Sequence, residues 1–176
     1  LSTVKEGWLS SKQLQGYQKR MFFLLVNLGN LRKASAYLER IWGKEGAFCH
    51  FALHTLAFRS GNLKNAFLEI QKAEDSEDLK DDPLLQFQII LNRGGCYAAE
   101  GNYHLADEYY NKAIAFYNTH HLREEELRDA FYYNYAFNRL RLEPDAVAWQ
   151  EVLEEYQSGL DLEKPDAQLR ILNVRL

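Results

Sequence analysis

The chain has 176 residues, 47% hydrophobic, 14% aromatic and 26% charged, with a net charge of −4. That length can bury a sizeable core as one domain, and the composition is that of an ordinary globular fold, not of a disordered or fibrous chain. The longest apolar run, Met21 to Val26, is far short of the roughly 18 residues that span a membrane, so membrane insertion is not expected. Cys49 and Cys96 cannot make a disulfide framework. Set among apolar residues of predicted helices, they read as buried free thiols of a reducing, cytoplasmic setting. No signal or targeting segment is visible, and apolar patterns running into both ends read as those of a piece of a longer protein. Charge is uneven: residues 1–44 hold eight basic and two acidic residues (+6), and residues 45–176 hold thirteen and twenty-three (−10). Such polarity can steer partners, although charges that merely solvate helix faces are the plainer reading.

In chain order, residues 1–14 read as a truncated helix or a cap, with Gly7 and Gly16 weakening any helix there. A first hairpin covers about 15–44. Its first helix, Tyr17 to Leu28, carries Tyr17, Met21, Leu24, Leu25 and Leu28 at three- and four-residue spacing. Its second, Leu31 to Ile41, places Leu31, Ala34, Leu38 and Ile41 on one face. A second hairpin covers about 47–74, as helices Ala47–Ser60 and Asn62–Ala73, the latter with Leu63, Ala66, Ile70 and Ala73 in one stripe.

An acidic connector, Glu74 to Pro83, carries six acids and ends in a proline suited to the first turn of a helix. The third hairpin, about 83–118, has Ile90, Gly94 and Tyr97 on its first helix and Tyr103, Ala106, Tyr110 and Ala113 on its second. Gly94 and Ala106 predict a close approach of the two helix axes. A fourth, diverged hairpin covers about 123–158. Its first helix, Glu124 to Leu142, contains the aromatic run Phe131 to Phe137, and Asp145 to Gln157 is its partner. Residues 159–176 read as a final helix, the start of a truncated repeat or a cap.

One turn recurs: Gly-Asn-apolar-x-x-Ala at 29–34, 61–66 and 101–106. Glycine supplies a left-handed helix end and asparagine can cap the following helix. Three copies of one helical hairpin imply a stacked repeat instead of a single-site enzyme.

The copy at 87–118 resembles the tetratricopeptide repeat family. Ile90, Gly94, Tyr97, Ala106, Tyr110 and Ala113 fall at that family's signature spacing, in a unit of about 34 residues. Arg93 stands where the family favours Leu, Asn118 where it favours Pro, and His54 where a small residue is usual. The resemblance extends over about 15–158. It implies an all-α right-handed superhelix, an α-solenoid of stacked antiparallel hairpins. The concave groove of such a fold is lined by first helices and binds peptides or partner proteins.

In that register the groove residues are Lys19, Phe23 and Asn27 on the first hairpin, and Phe51, Thr55, Phe58 and Arg59 on the second. Leu91 and Ala98 follow on the third, and Tyr133, Phe137 and Arg141 on the fourth. Gly95 and Ala99 fall on the same face. The surface is aromatic, with a few basic and amide groups, which suits an apolar helix or an extended peptide. Some family members clamp a terminal carboxylate with Lys, Asn and Arg. Lys19, Asn27 and Arg59 resemble parts of that clamp, but Phe23 and Thr55 stand where Asn would be expected.

Other constellations are weaker. Cys49, His50 and His54 have helical metal-ligand spacing, but the repeat register puts both histidines on the packed stripe and no fourth ligand is evident. Glu74 to Asp82 lacks the glycine and alternating oxygens of a calcium loop. His120 and His121 beside Glu124, Glu125 and Glu126 are better read as acids in the first turn of a helix. No phosphate loop or nucleophile motif occurs, so neither catalysis nor a cofactor or metal is expected. Acidity over 45–176 opposes nucleic-acid binding and leaves only residues 1–44 for it. The expected function is therefore a protein–protein interaction module. The alternative is a peptide- or ligand-sensing domain that controls an attached effector.

Overall fold

The computed structural model describes residues 10–42, 45–122, 125–142 and 154. Among them all regular structure is helical: α1 (Ser11–Asn27), α2 (Leu31–Trp42), α3 (Ala47–Arg59), α4 (Leu63–Glu74), α5 (Pro83–Ala99), α6 (Tyr103–Thr119) and α7 (Glu125–Leu142). A 3-10 turn at Glu77–Asp81 precedes α5. The chain divides into two compact units, Leu1–Ala73 and Glu74–Leu176, and in each the helices follow one another as hairpins. The second helix expected over 145–157, Glu154 apart, and the closing helix expected over 166–176 lie outside the described residues.

The turns explain why hairpins form. Gly101 has φ +81°, with Gly29 at +71° and Gly61 at +77°, a conformation that a Cβ disfavours. The Gly101 amide donates to the Ala98 carbonyl at 3.0 Å and the Asn102 amide to the Tyr97 carbonyl at 2.9 Å. These two bonds satisfy carbonyls that a helix end would otherwise leave orphaned. The same pair recurs at Gly29 and Gly61, and again at 121–122, where His121 takes the left-handed position with φ +51°. The Asn102 side chain then accepts from the Leu105 amide at 3.3 Å, and Asn62 from Asn65 at 3.2 Å, capping α6 and α4.

Second helices bury the stripes their spacing predicts: Ala34 and Leu38 in α2, Ala66, Ile70 and Ala73 in α4, Ala106, Tyr110 and Ala113 in α6. Cys49 and Cys96 are both buried, and neither is in a disulfide. Burial pushes the Cys96 thiol up to about 12.

The first helix departs from expectation in two ways. It starts at Ser11, because Ser10 and Gln13 form a reciprocal capping box, so Gly16 lies inside it. Its packed residues are Phe22 and Val26, whereas Tyr17, Met21, Leu24 and Leu28 are exposed. The repeat accounts for this. Phe22 lies seven residues before Gly29, as His54 does before Gly61 and Gly94 before Gly101. A helix apolar on most sides is aligned by that position, not by its own periodicity.

The acidic connector is folded onto α5. The Gln86 amide group donates to the Leu79 and Lys80 carbonyls at 2.9 and 3.2 Å. Asp82 caps α5 by accepting from the Leu85 amide at 3.0 Å, with Pro83 at the first helical position.

In unit 2 the closest helix approach is at Gly94. A Cβ there would lie 2.7 and 2.9 Å from Tyr110 ring carbons and 3.3 Å from the Ala106 carbonyl oxygen, whereas one on Gly95 would meet nothing within 4 Å. Gly94→Ala should therefore cost about 1–3 kcal/mol through overpacking. Gly95→Ala should be neutral or stabilise by up to about 1 kcal/mol. Urea unfolding followed by circular dichroism compares them, and equal stability of the two variants would contradict the close approach.

Candidate functional site

The predicted groove residues fall in both units, and the two units treat them differently. In unit 1 the aromatic side chains of α1 and α3 pack on one another. Phe23 lies 6.2 Å from both Phe48 and Phe51, and the Lys19 ammonium sits 4.8 Å over the Phe48 ring. Phe48 also meets Trp42 of α2 at 4.7 Å. Phe51 is consequently only 3% exposed. Thr55 donates its hydroxyl to the Phe51 carbonyl at 2.9 Å, and Phe58 lies 6.0 Å from His54. Solvent reaches Asn27 and Arg59 freely and Lys19, Phe23, Thr55 and Phe58 in part.

The placement of Phe51 in the groove is therefore corrected: it is a core residue, buried with its ring 6.2 Å from Phe23 and 6.0 Å from His54. The same correction applies to Leu91, buried in the cluster with Phe87, Ala106, Tyr110 and Phe131. Phe51→Ala should lower stability by about 3–5 kcal/mol instead of acting on binding alone. Calorimetric melting of that variant checks this, and an unchanged melting temperature would return Phe51 to the surface.

In unit 2 the predicted face is more open. Ala98 is half-buried, Ala99 is exposed, and Gly95 faces open space. On α7, Phe137 is 49% exposed, and the Arg141 guanidinium lies 4.9 Å over its ring and 6.0 Å over that of Tyr103. Tyr103 follows directly on the turn that ends α5, so Arg141 brings the C-terminal ends of α5 and α7 together. The side chain of Tyr133 lies outside the described residues.

Two polar clusters were not foreseen. Arg93, at the position where a leucine was expected, pairs with the Glu74 carboxylate and lies 5.6 Å over Tyr109. Burial raises the Glu74 carboxyl above its ordinary value even beside this cation. In unit 1, His50 Nδ1 donates to Glu69 Oε2 at 2.7 Å and Lys72 donates to Glu69 Oε1 at 2.7 Å. They line a cleft of about 440 Å³ with Ser35, Leu38, Glu39 and Leu53. His54 donates from Nδ1 to the Ala66 carbonyl at 3.0 Å, fully buried. The two histidines of the candidate metal cluster are thus each engaged with a separate protein acceptor. Among the described residues no group of three or more ligands is placed to hold a metal.

These geometries meet in the third hairpin. It has a left-handed glycine turn, an asparagine cap, and a glycine opposed to an alanine and a tyrosine across the helix pair. The tetratricopeptide repeat family model matches residues 87–120. Residues 87–120 are thus similar to a tetratricopeptide repeat. No curated protein and no solved structure matches the chain. That similarity points to a protein-interaction unit over these residues. Among the described residues no helix is long and apolar enough to cross a membrane.

Burial raises the Glu69 carboxyl, but hydrogen bonds from Lys72 and His50 outweigh it and hold the group below its ordinary value. A lowered carboxyl stabilises the fold above the unfolded-chain value, about 4.3. That contribution is lost as pH falls through the lower folded value. Glu69→Gln should cost up to about 1 kcal/mol at neutral pH, and the deficit should shrink below the unfolded-chain value and vanish only once pH has fallen through the lower folded one. A pH-independent deficit, measured by urea unfolding across that range, would rule out ionisation as its source.

Proposed function

We propose that unit 2 binds an extended peptide segment of a protein partner across the face shared by α5 and α7. The observation that carries this reading is the pairing of an open floor with a polar aromatic wall. Gly95, Ala98 and Ala99 project little or no side chain, so a peptide backbone can approach closely. Phe137, half-exposed, offers an apolar anchor. Arg141, stacked on that ring, keeps a planar donor fork for a carboxylate. The fitting ligand is a peptide with one large apolar side chain and an acidic group near it. The role is binding, not catalysis. The two buried thiols, in no disulfide, fit a reducing, cytoplasmic compartment.

A photo-crosslinking side chain placed at Gly95 tests the site, since a Cβ there meets nothing. Partner adducts are expected at this position and should fall roughly tenfold in Phe137→Ala combined with Arg141→Ala. The same probe at exposed Glu108 on α6 should give none. Equal adducts at both positions, or adducts indifferent to the double substitution, would overturn the reading.

A further inference from the structure

In unit 1, α1 carries an exposed apolar stripe. Leu14, Tyr17, Met21, Leu24 and Leu28 recur at strict three–four–three–four spacing, and Tyr17, Leu24 and Leu28 are 58%, 51% and 64% exposed. From Leu14 to Leu28 the stripe runs about 21 Å along the helix.

The repeat shows what such a stripe is for. Tyr17, Met21, Leu24 and Leu28 lie twelve, eight, five and one residues before Gly29. Equivalent residues in α3 are Cys49, Leu53, Leu56 and Ser60. Cys49 is buried, and Leu53 lines one cleft with Leu38 of α2. Counting from Glu143, which replaces the turn glycine, the equivalents in α7 are Phe131, Tyr135, Asn138 and Leu142. Phe131 and Tyr135 lie 6.5 and 6.4 Å from Tyr110 of α6. Asn138, fully buried, donates to the Tyr103 carbonyl at 2.9 Å. In α3 and α7, then, this face is covered by the second helix of the preceding hairpin. On α1 it is bare.

We propose that this face of α1 is a docking site for an amphipathic helix with acidic flanks, seated as the second helix of a preceding hairpin would be. The apolar spacing matches a helix–helix seam. Charge selects the flanks. The α1 sequence holds Lys12, Lys19 and Arg20 and no acid; Arg20 is exposed beside Met21, and Arg32 and Lys33 are exposed at the start of α2. Within unit 2 the covering helix supplies a carboxylate, Asp107 of α6 to Arg139 of α7 at 3.6 Å. A second copy of α1 would bring like charges together at Arg20.

The test uses the full chain and two synthetic amphipathic peptides of about three heptads. Both carry the same apolar three–four spacing, one with glutamate flanks and one with lysine flanks. Fluorescence anisotropy should show binding of the glutamate peptide, weakened about tenfold by Leu24→Gln with helicity unchanged. Arg20→Glu should shift the preference to the lysine peptide. Equal affinity for both peptides, absence of binding, or indifference to Leu24→Gln would overturn the proposal. So would a concentration-dependent dimer on sedimentation, or adsorption to anionic phosphatidylserine vesicles, if Leu24→Gln abolished either one. The first would assign the stripe to a second copy and the second to lipid.

Discussion

The closeness of α5 and α6 at Gly94 is the constraint on which unit 2 rests. The Tyr110 ring lies 2.7 Å from where a Cβ of residue 94 would be, so residue 94 can contribute no side chain at that point. This brings Tyr110 deep enough to meet Phe131 and Tyr135 of α7. One absent methyl group therefore determines both the helix pair and the seat of the next helix. The glycine turn seven residues later fixes where the chain reverses, so that Ala106 arrives opposite Gly94.

Unit 1 solves the same problem with different residues. His54 stands where Gly94 stands and Ala66 where Ala106 stands. The carbonyl that Gly94 approaches in unit 2 is approached in unit 1 by an imidazole N–H, at 3.0 Å between Ala66 O and His54 Nδ1. A bulky residue is accommodated because its polar edge gains a buried hydrogen bond. At the equivalent place in α1, Phe22 is fully buried and meets Phe23 and Phe48. The repeat conserves a position, and the side chain filling it ranges from none to a phenyl ring.

That variation marks the limit of what the sequence reveals. The turns and the second-helix stripes were legible, because glycine, asparagine, alanine and a large apolar residue recur at fixed offsets. The packed face of α1 was not. Met21-Phe22-Phe23-Leu24-Leu25-Val26 is apolar on every side, so periodicity cannot say which side is covered; only the count back from Gly29 does. The groove face was legible as a direction but not as a surface, since Phe51 is buried against Phe23 and His54. Gly95 and Phe137 remain open in unit 2 because small residues on α5 leave nothing to fill the space. The Glu69–His50 and Glu74–Arg93 pairs each join residues nineteen apart on different elements. No local pattern announces them, although the Glu69–Lys72 spacing does.

The two cysteines acquire a use from their placement. The chain has two, and the division of the fold gives one to each unit, Cys49 within α3 and Cys96 within α5. Both thiols are buried, and burial raises both above their ordinary range, so neither supplies appreciable thiolate while its helices stay closed. Alkylation then proceeds through opening, and the rate at each sulfur becomes a clock for its own unit. The protein thus carries two built-in reporters that can time the breathing of its halves separately, with no label added.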